Sequence, residues 1–343
     1  MTARLREIIR TWPALFAVVA TLSCDSPTGI NPADFPHNAA DAQFVVEDVR
    51  RFWAAYDAGG RDGNAAVFQT RYLDSASAGL RNFIDTRTLT AQSLIDVVYV
   101  YRPYYDALRP VSLAITTSDP VFAEVRANYA RIQQLYPGAF FPPVTLLFGR
   151  FNTGGTTGSA GMLIGMEFYG VDANAPLGGL SAFARDNQFS LRTDFPPLVA
   201  HEHAHILQMA AGAPGVTNKA TLLAKALSEG GADFVGELSA GRATYRRKYA
   251  VWQARELEFW TEFKRDMQGT DERRWLYNQG SATTEWPGDL GYFMGYRIAQ
   301  AYYAKATDKP TALKDLIAQR NPTSILQGSG YSGSGPFIPT PDR

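Results

Sequence analysis

Pro196-Pro197-Leu198-Val199-Ala200-His201-Glu202-His203-Ala204-His205-Ile206-Leu207-Gln208 holds three of the chain's four histidines within five positions. Asp194 can cap a helix there, a proline suits its first turn, and Gly212 with Pro214 marks its end, so the HExxH pattern falls well inside it. Residues four apart share a helix face, which lets the imidazoles of His201 and His205 converge on one ion with Glu202 beside them. His203, two positions from either, faces elsewhere and is expected to pack or support.

A hydrolytic zinc site takes three protein ligands and keeps one position open for water, so a third ligand is needed. The next predicted helix starts near Thr217 or Asn218 and supplies Ser228-Glu229-Gly230-Gly231-Ala232-Asp233-Phe234. Glu229 can be the third ligand. Asp233, one turn on, can accept a hydrogen bond from the far nitrogen of a ligand histidine and fix its tautomer. Gly230, Gly231 and Ala232 would let the two helices approach closely.

The 343 residues suffice for a large core, and 45% hydrophobic content with 13% aromatics reads as globular. Lys+Arg and Asp+Glu balance at 33 each, leaving no overall field to recruit nucleic acid. The Gly-rich run 149–161 lacks a following Lys-Ser or Lys-Thr pair and leads into a strand, which argues against nucleotide binding.

Arg4, Arg6 and Arg10 precede an apolar run, Trp12 to Ser23, too short to span a bilayer comfortably. That is export-signal anatomy. The single cysteine, Cys24, follows it and resembles the lipidated first residue of a bacterial lipoprotein, although Leu22 stands two positions before it where the usual lipobox has three. Ordinary secretion is the alternative. The expected organisation is a signal peptide over 1–24, a tether over 25–40, one domain over 41–320 and a Gly/Ser/Pro-rich surface tail over 321–343. The expected location is the cell envelope, with a membrane reached through the lipid anchor.

Within the domain, Val45, Val49, Phe52 and Tyr56 predict a first helix over Asp41 to Ala58. Further helices are expected near Ala65 to Ile84, Thr90 to Tyr101 with a stop or kink at Pro103, Val121 to Leu135, Ala243 to Met267, and Asp289 to Tyr302. Val144 to Phe148 and Met162 to Tyr169 read as strands joined by a Gly-rich hairpin connection. The fold class is therefore α+β, mostly helical, with a small sheet beside the histidine helix.

HExxH followed by ExxxD on the next helix resembles the gluzincin clan of zinc metallopeptidases. The wider pattern (Phe52 to Tyr56, the hairpin, His201 to Gln208, Leu227 to Asp233 and Leu290 to Tyr296) resembles a family of Zn-dependent proteases filed as a domain of unknown function. The resemblance implies that His201, His205 and Glu229 hold Zn2+, that Glu202 is the general base, and that the substrate is a peptide or protein. Tyr292-Phe293-Met294-Gly295 resembles a Tyr-x-x-Gly element that supplies an oxyanion donor, so Tyr292, or Tyr296 one turn along, would take that role. In this clan a strand beside the active-site helix receives substrate as an added strand, and Met162 to Tyr169 is the candidate. Arg297 and Glu167 are read as surface salt-bridge residues rather than substrate contacts. Two other classes fit the same residues: a non-catalytic zinc-binding lipoprotein acting as an assembly scaffold, and a hydrolase of cell-wall crosslinks or another non-protein amide.

Overall fold

The computed structural model describes residues 30–170 and 193–335, with Leu177, Leu180, Arg185 and Leu191 between them, apart from their neighbours. Cys24, the signal segment and the end of the tail lie outside the described residues. The architecture is α+β: a four-stranded sheet and a predominantly helical body.

The sheet runs in the order β1 (Phe44–Val45), β2 (Val144–Leu147), β4 (Gly161–Gly165), β3 (Gly155–Gly158). β1 pairs parallel to β2 and β2 parallel to β4, while β3 folds back antiparallel on β4. Burial on both faces accounts for the continuous apolar runs of β2 and β4. The Gly-rich segment thus contains a strand of its own. β4 is interior, ending at Gly165 before a helical turn over Met166–Tyr169, and the edge strands are β1 and, next to β4, β3. The expected substrate strand therefore shifts from Met162 to Tyr169 onto Gly155–Gly158.

Helix α1 (Glu47–Asp57) starts later than its periodicity suggests, because Val45 pairs with Thr145 in the sheet. The Ala65 to Ile84 stretch is broken. A helical turn and a π-turn run to Leu73, then Ser77 caps α2 (Ala78–Arg87) by accepting the Leu80 N–H. α3 (Ala91–Val100) gives way to α4 (Arg102–Leu113), where Pro103 opens the new helix; its missing N–H costs nothing in a first turn. α5 (Pro120–Leu135) follows.

The centre of the body is α6 (Phe195–Ala210), α7 (Leu222–Ala240) and α10 (Leu290–Lys305), with α8 (Arg246–Trp252) and α9 (Glu256–Asp266) between them; a 3-10 turn splits the single helix expected over Ala243 to Met267. Backbone meets backbone where α7 crosses α10. A Cβ at Gly295 would stand 1.7 Å from the Ala226 carbonyl oxygen, and one at Gly230 2.1 Å from the Tyr296 nitrogen. Gly230 therefore serves the α7–α10 crossing, and Gly236 serves the α6–α7 approach, its Cβ position lying 3.0 Å from the His201 nitrogen. α11 (Lys309–Ala318) and α12 (Pro322–Ser329) close the chain, so the expected tail carries a helix, and Tyr331 beyond it packs edge-on against Trp260.

Candidate metal centre

Two adjacent helices present the cluster: α6 supplies His201, Glu202 and His205, and α7 supplies Glu229 and Asp233. The Nε2 atom of His205 lies 3.1 Å from His201 Nε2 and 3.1 Å from Glu229 Oε2; His201 Nε2 is 3.8 Å from the same oxygen. A tetrahedron with bonds of about 2.0–2.1 Å has edges of about 3.3–3.4 Å, so three ligand atoms at these separations fit one zinc ion.

The far side of each imidazole explains why the near sides converge. His201 donates from Nδ1 to Asp233 Oδ1 at 2.7 Å, and His205 donates from Nδ1 to Gln208 Oε1 at 2.8 Å. Gln208 is itself oriented by donating Nε2 to the Ser228 carbonyl at 2.9 Å, which leaves its oxygen toward the ring and the Ser228 hydroxyl. With both Nδ1 protons committed, neutral imidazoles turn their Nε2 lone pairs inward, the tautomer a metal requires.

Tyrosines secure the carboxylates. Tyr277 donates to Glu229 Oε1 at 2.5 Å, leaving Oε2 to the histidines, and Tyr249 donates to Asp233 Oδ2. His205, 13% exposed against 6% for His201 and Glu229, marks the open side.

A proton competes with a cation for this place. Burial disfavours charge on His205, but the neighbouring carboxylates of Glu229 and Glu202 and its bond to Gln208 outweigh it and push the imidazole up to about 9. Burial would likewise raise Glu229, yet His205, His201 and the Tyr277 hydroxyl bring it down to about 2. The Glu202 carboxyl is raised above its ordinary value by burial and by Glu229, against the opposing pull of His201, His205 and Arg87. β3 passes alongside: a Cβ at Gly155 would stand 2.8 Å from Glu202 Oε1.

Residues 174–321 match the family model described as Predicted Zn-dependent protease (DUF2268). No curated protein and no solved structure matches the chain. The matched stretch contains the HExxH helix, Glu229, Asp233 and both securing tyrosines, while the sheet lies outside it.

Other expected residues fall differently. His203 points away from the cluster, donating from Nε2 to the Phe140 carbonyl at 2.7 Å between Tyr129 and Phe141; burial pulls its pKa down to about 4. Tyr292 lies at the cluster, its ring stacked 6.3 Å from that of His201. Tyr296, one turn further along α10, donates to Glu237 instead and is not brought to the cluster of His201, His205 and Glu229. Arg297 and Glu167 are buried rather than surface residues. Arg297 pairs with Glu256 at 2.6 Å, and Glu167, raised to about 7 by burial, accepts the Gly149 N–H at 3.0 Å and the Phe151 N–H, which fixes the loop after β2.

The sequence reading missed Gln208, Tyr249 and Tyr277. Gln208 had a signal, since three positions after His205 puts it on the same helix face. The two tyrosines had none: one comes from a separate short helix and the other from irregular chain.

Proposed function

We propose that the protein is a zinc-dependent peptidase that hydrolyses bonds in extended polypeptides, with His201, His205 and Glu229 holding the ion. The observation that supports this best is the paired Nδ1 commitment to Asp233 and Gln208, which turns both Nε2 atoms toward the place that Glu229 Oε2 also faces. Zinc, when bound, supplies a Lewis acid and makes water acidic near neutral pH.

Glu202 would take the proton from the attacking water and return it to the leaving nitrogen. A buried carboxylate of raised proton affinity, one helical position from a ligand, suits that transfer. The outer edge of β3 offers main-chain groups to a peptide lying antiparallel to it, and Gly155, having no side chain, lets that strand pass close to Glu202. Tyr292 is the candidate donor to the oxyanion, on the strength of its position against His201.

The Arg-rich and apolar start before Cys24 supports export and lipid anchoring as part of the same proposal. The test of activity is peptide-library cleavage by the purified protein, with and without chelator, alongside Glu202→Gln. Zinc-dependent cleavage that vanishes in Glu202→Gln while zinc is retained is expected. Zinc binding without cleavage of any peptide would favour the scaffold reading.

A further inference from the structure

We infer that Tyr277 is a positioning residue that holds Glu229 to a single ligand oxygen, and that the chain between α9 and α10 is built as a latch to deliver its hydroxyl. The inference rests on the zinc reading above.

Tyr277 adopts φ +57° and Asp289, at the start of α10, φ +64°, both in the left-handed region that non-glycine residues avoid. Such conformations persist where the surrounding structure over-determines them, and they gather at sites where a side chain's position matters. The surrounding structure here is a reciprocal clamp. Asn278 donates its N–H to Asp289 Oδ1 at 3.3 Å, Asp289 donates its N–H to Asn278 Oδ1 at 2.8 Å, and Gln279 donates to Asp289 Oδ2. Asn278 Nδ2 and Trp286 Nε1 share the Arg274 carbonyl at 3.0 and 2.8 Å, and the Arg274 guanidinium lies 3.8 Å over the Trp286 ring.

The base of the loop is tied to the helix that carries Glu229. The Leu222 N–H donates to the Gly269 carbonyl at 2.7 Å, and Lys225 pairs with Glu272 at 2.8 Å with its side chain only 8% exposed. Loop and ligand are thus one assembly, and the 2.5 Å bond from Tyr277 to Glu229 Oε1 is its working contact. Tyr249 repeats the device one turn along α7, on the outer oxygen of Asp233. With Oε1 held by Tyr277, turning both Glu229 oxygens to the ion would strain that bond, so the contact favours ligation through Oε2 alone and the open position that hydrolysis needs.

The test is Tyr277→Phe in the full chain, read by zinc affinity in competition with a chromophoric chelator and by the visible spectrum after cobalt substitution. The variant keeps the ring and the backbone, so the chelator-treated protein is expected to fold, its melting point lowered by no more than the few degrees that one lost hydrogen bond costs. Zinc affinity is expected to fall about 10- to 100-fold, the usual effect of removing a residue that orients a ligand, and the cobalt spectrum to change. A folded Asn278→Ala should weaken zinc in the same direction while keeping the hydroxyl. Wild-type zinc affinity and spectrum in Tyr277→Phe would overturn the latch and leave the zinc reading standing. A wild type that binds no zinc would remove both.

Discussion

Asp233 is 1% exposed and holds two buried donors at once, His201 Nδ1–H and the Tyr249 hydroxyl, so its replacement separates orientation from packing. Asp233→Ala leaves both donors without an acceptor. At about 1–3 kcal/mol for each orphaned buried group, the metal-free protein should lose about 2–6 kcal/mol, a large part of the 5–15 kcal/mol that typically holds a domain together. Asp233→Asn keeps an oxygen for His201 and turns an amide N–H toward the tyrosine oxygen, so only the tyrosine proton and the charge assistance are lost, about 1–2 kcal/mol. Zinc affinity should follow the same order, falling about 10- to 100-fold for alanine and less for asparagine, because His201 can then rotate or change tautomer. Urea unfolding of chelator-treated protein gives the first series and chelator competition the second. If Asp233→Ala bound zinc within twofold of wild type, the reasoning from tautomer to metal site would fail.

Three further outcomes follow, two from the same geometry and one from the N-terminal sequence. The elevated His205 pKa, about 9 against an ordinary 6.5, stabilises chelator-treated protein fully below pH 6.5, and this is lost as pH rises through 9. The depressed Glu229 value of about 2 contributes above its ordinary 4.5 and is lost as pH falls through 2. Metal-free melting temperature should therefore decline from pH 6.5 to 9 while zinc affinity rises, since the ion must displace the His205 proton; a flat profile would contradict the pairing. Gly155→Val places a branched side chain against Glu202 and is expected to lower kcat at least 10-fold with zinc content unchanged, as measured by cleavage rate and metal analysis. Cys24→Ala should abolish incorporation of labelled fatty acid in a bacterial host, and unchanged labelling would remove the proposed anchor.

The cluster of His201, His205 and Glu229 was legible in the sequence because helix geometry alone brings the two histidines together and because Glu229 and Asp233 repeat at one turn. The same regularity misleads at Tyr296. Glu229, Asp233 and Glu237 stand four apart on α7, and Tyr296 meets the third of them rather than the first. Apolar runs marked β2 and β4 as strands but carried no information on pairing, so the edge was assigned to β4 when the Gly-rich segment itself folds back as β3. Val45 continued a helical period yet pairs in the sheet, and Pro103, read as a stop or kink, follows the end of one helix at Val100 and also opens the next. Tyr277 left no trace because its placement depends on a clamp twelve residues wide, closed by Asp289, with no period to read.

Zinc content of the purified protein after extensive dialysis, set beside that of Glu229→Ala, tests the central claim most directly. The geometry predicts one zinc per chain in the wild type and loss of stoichiometric zinc in the variant, which keeps two histidines but lacks the third ligand. Wild-type protein without stoichiometric zinc, or a Glu229→Ala variant that retains it undiminished, would contradict the account.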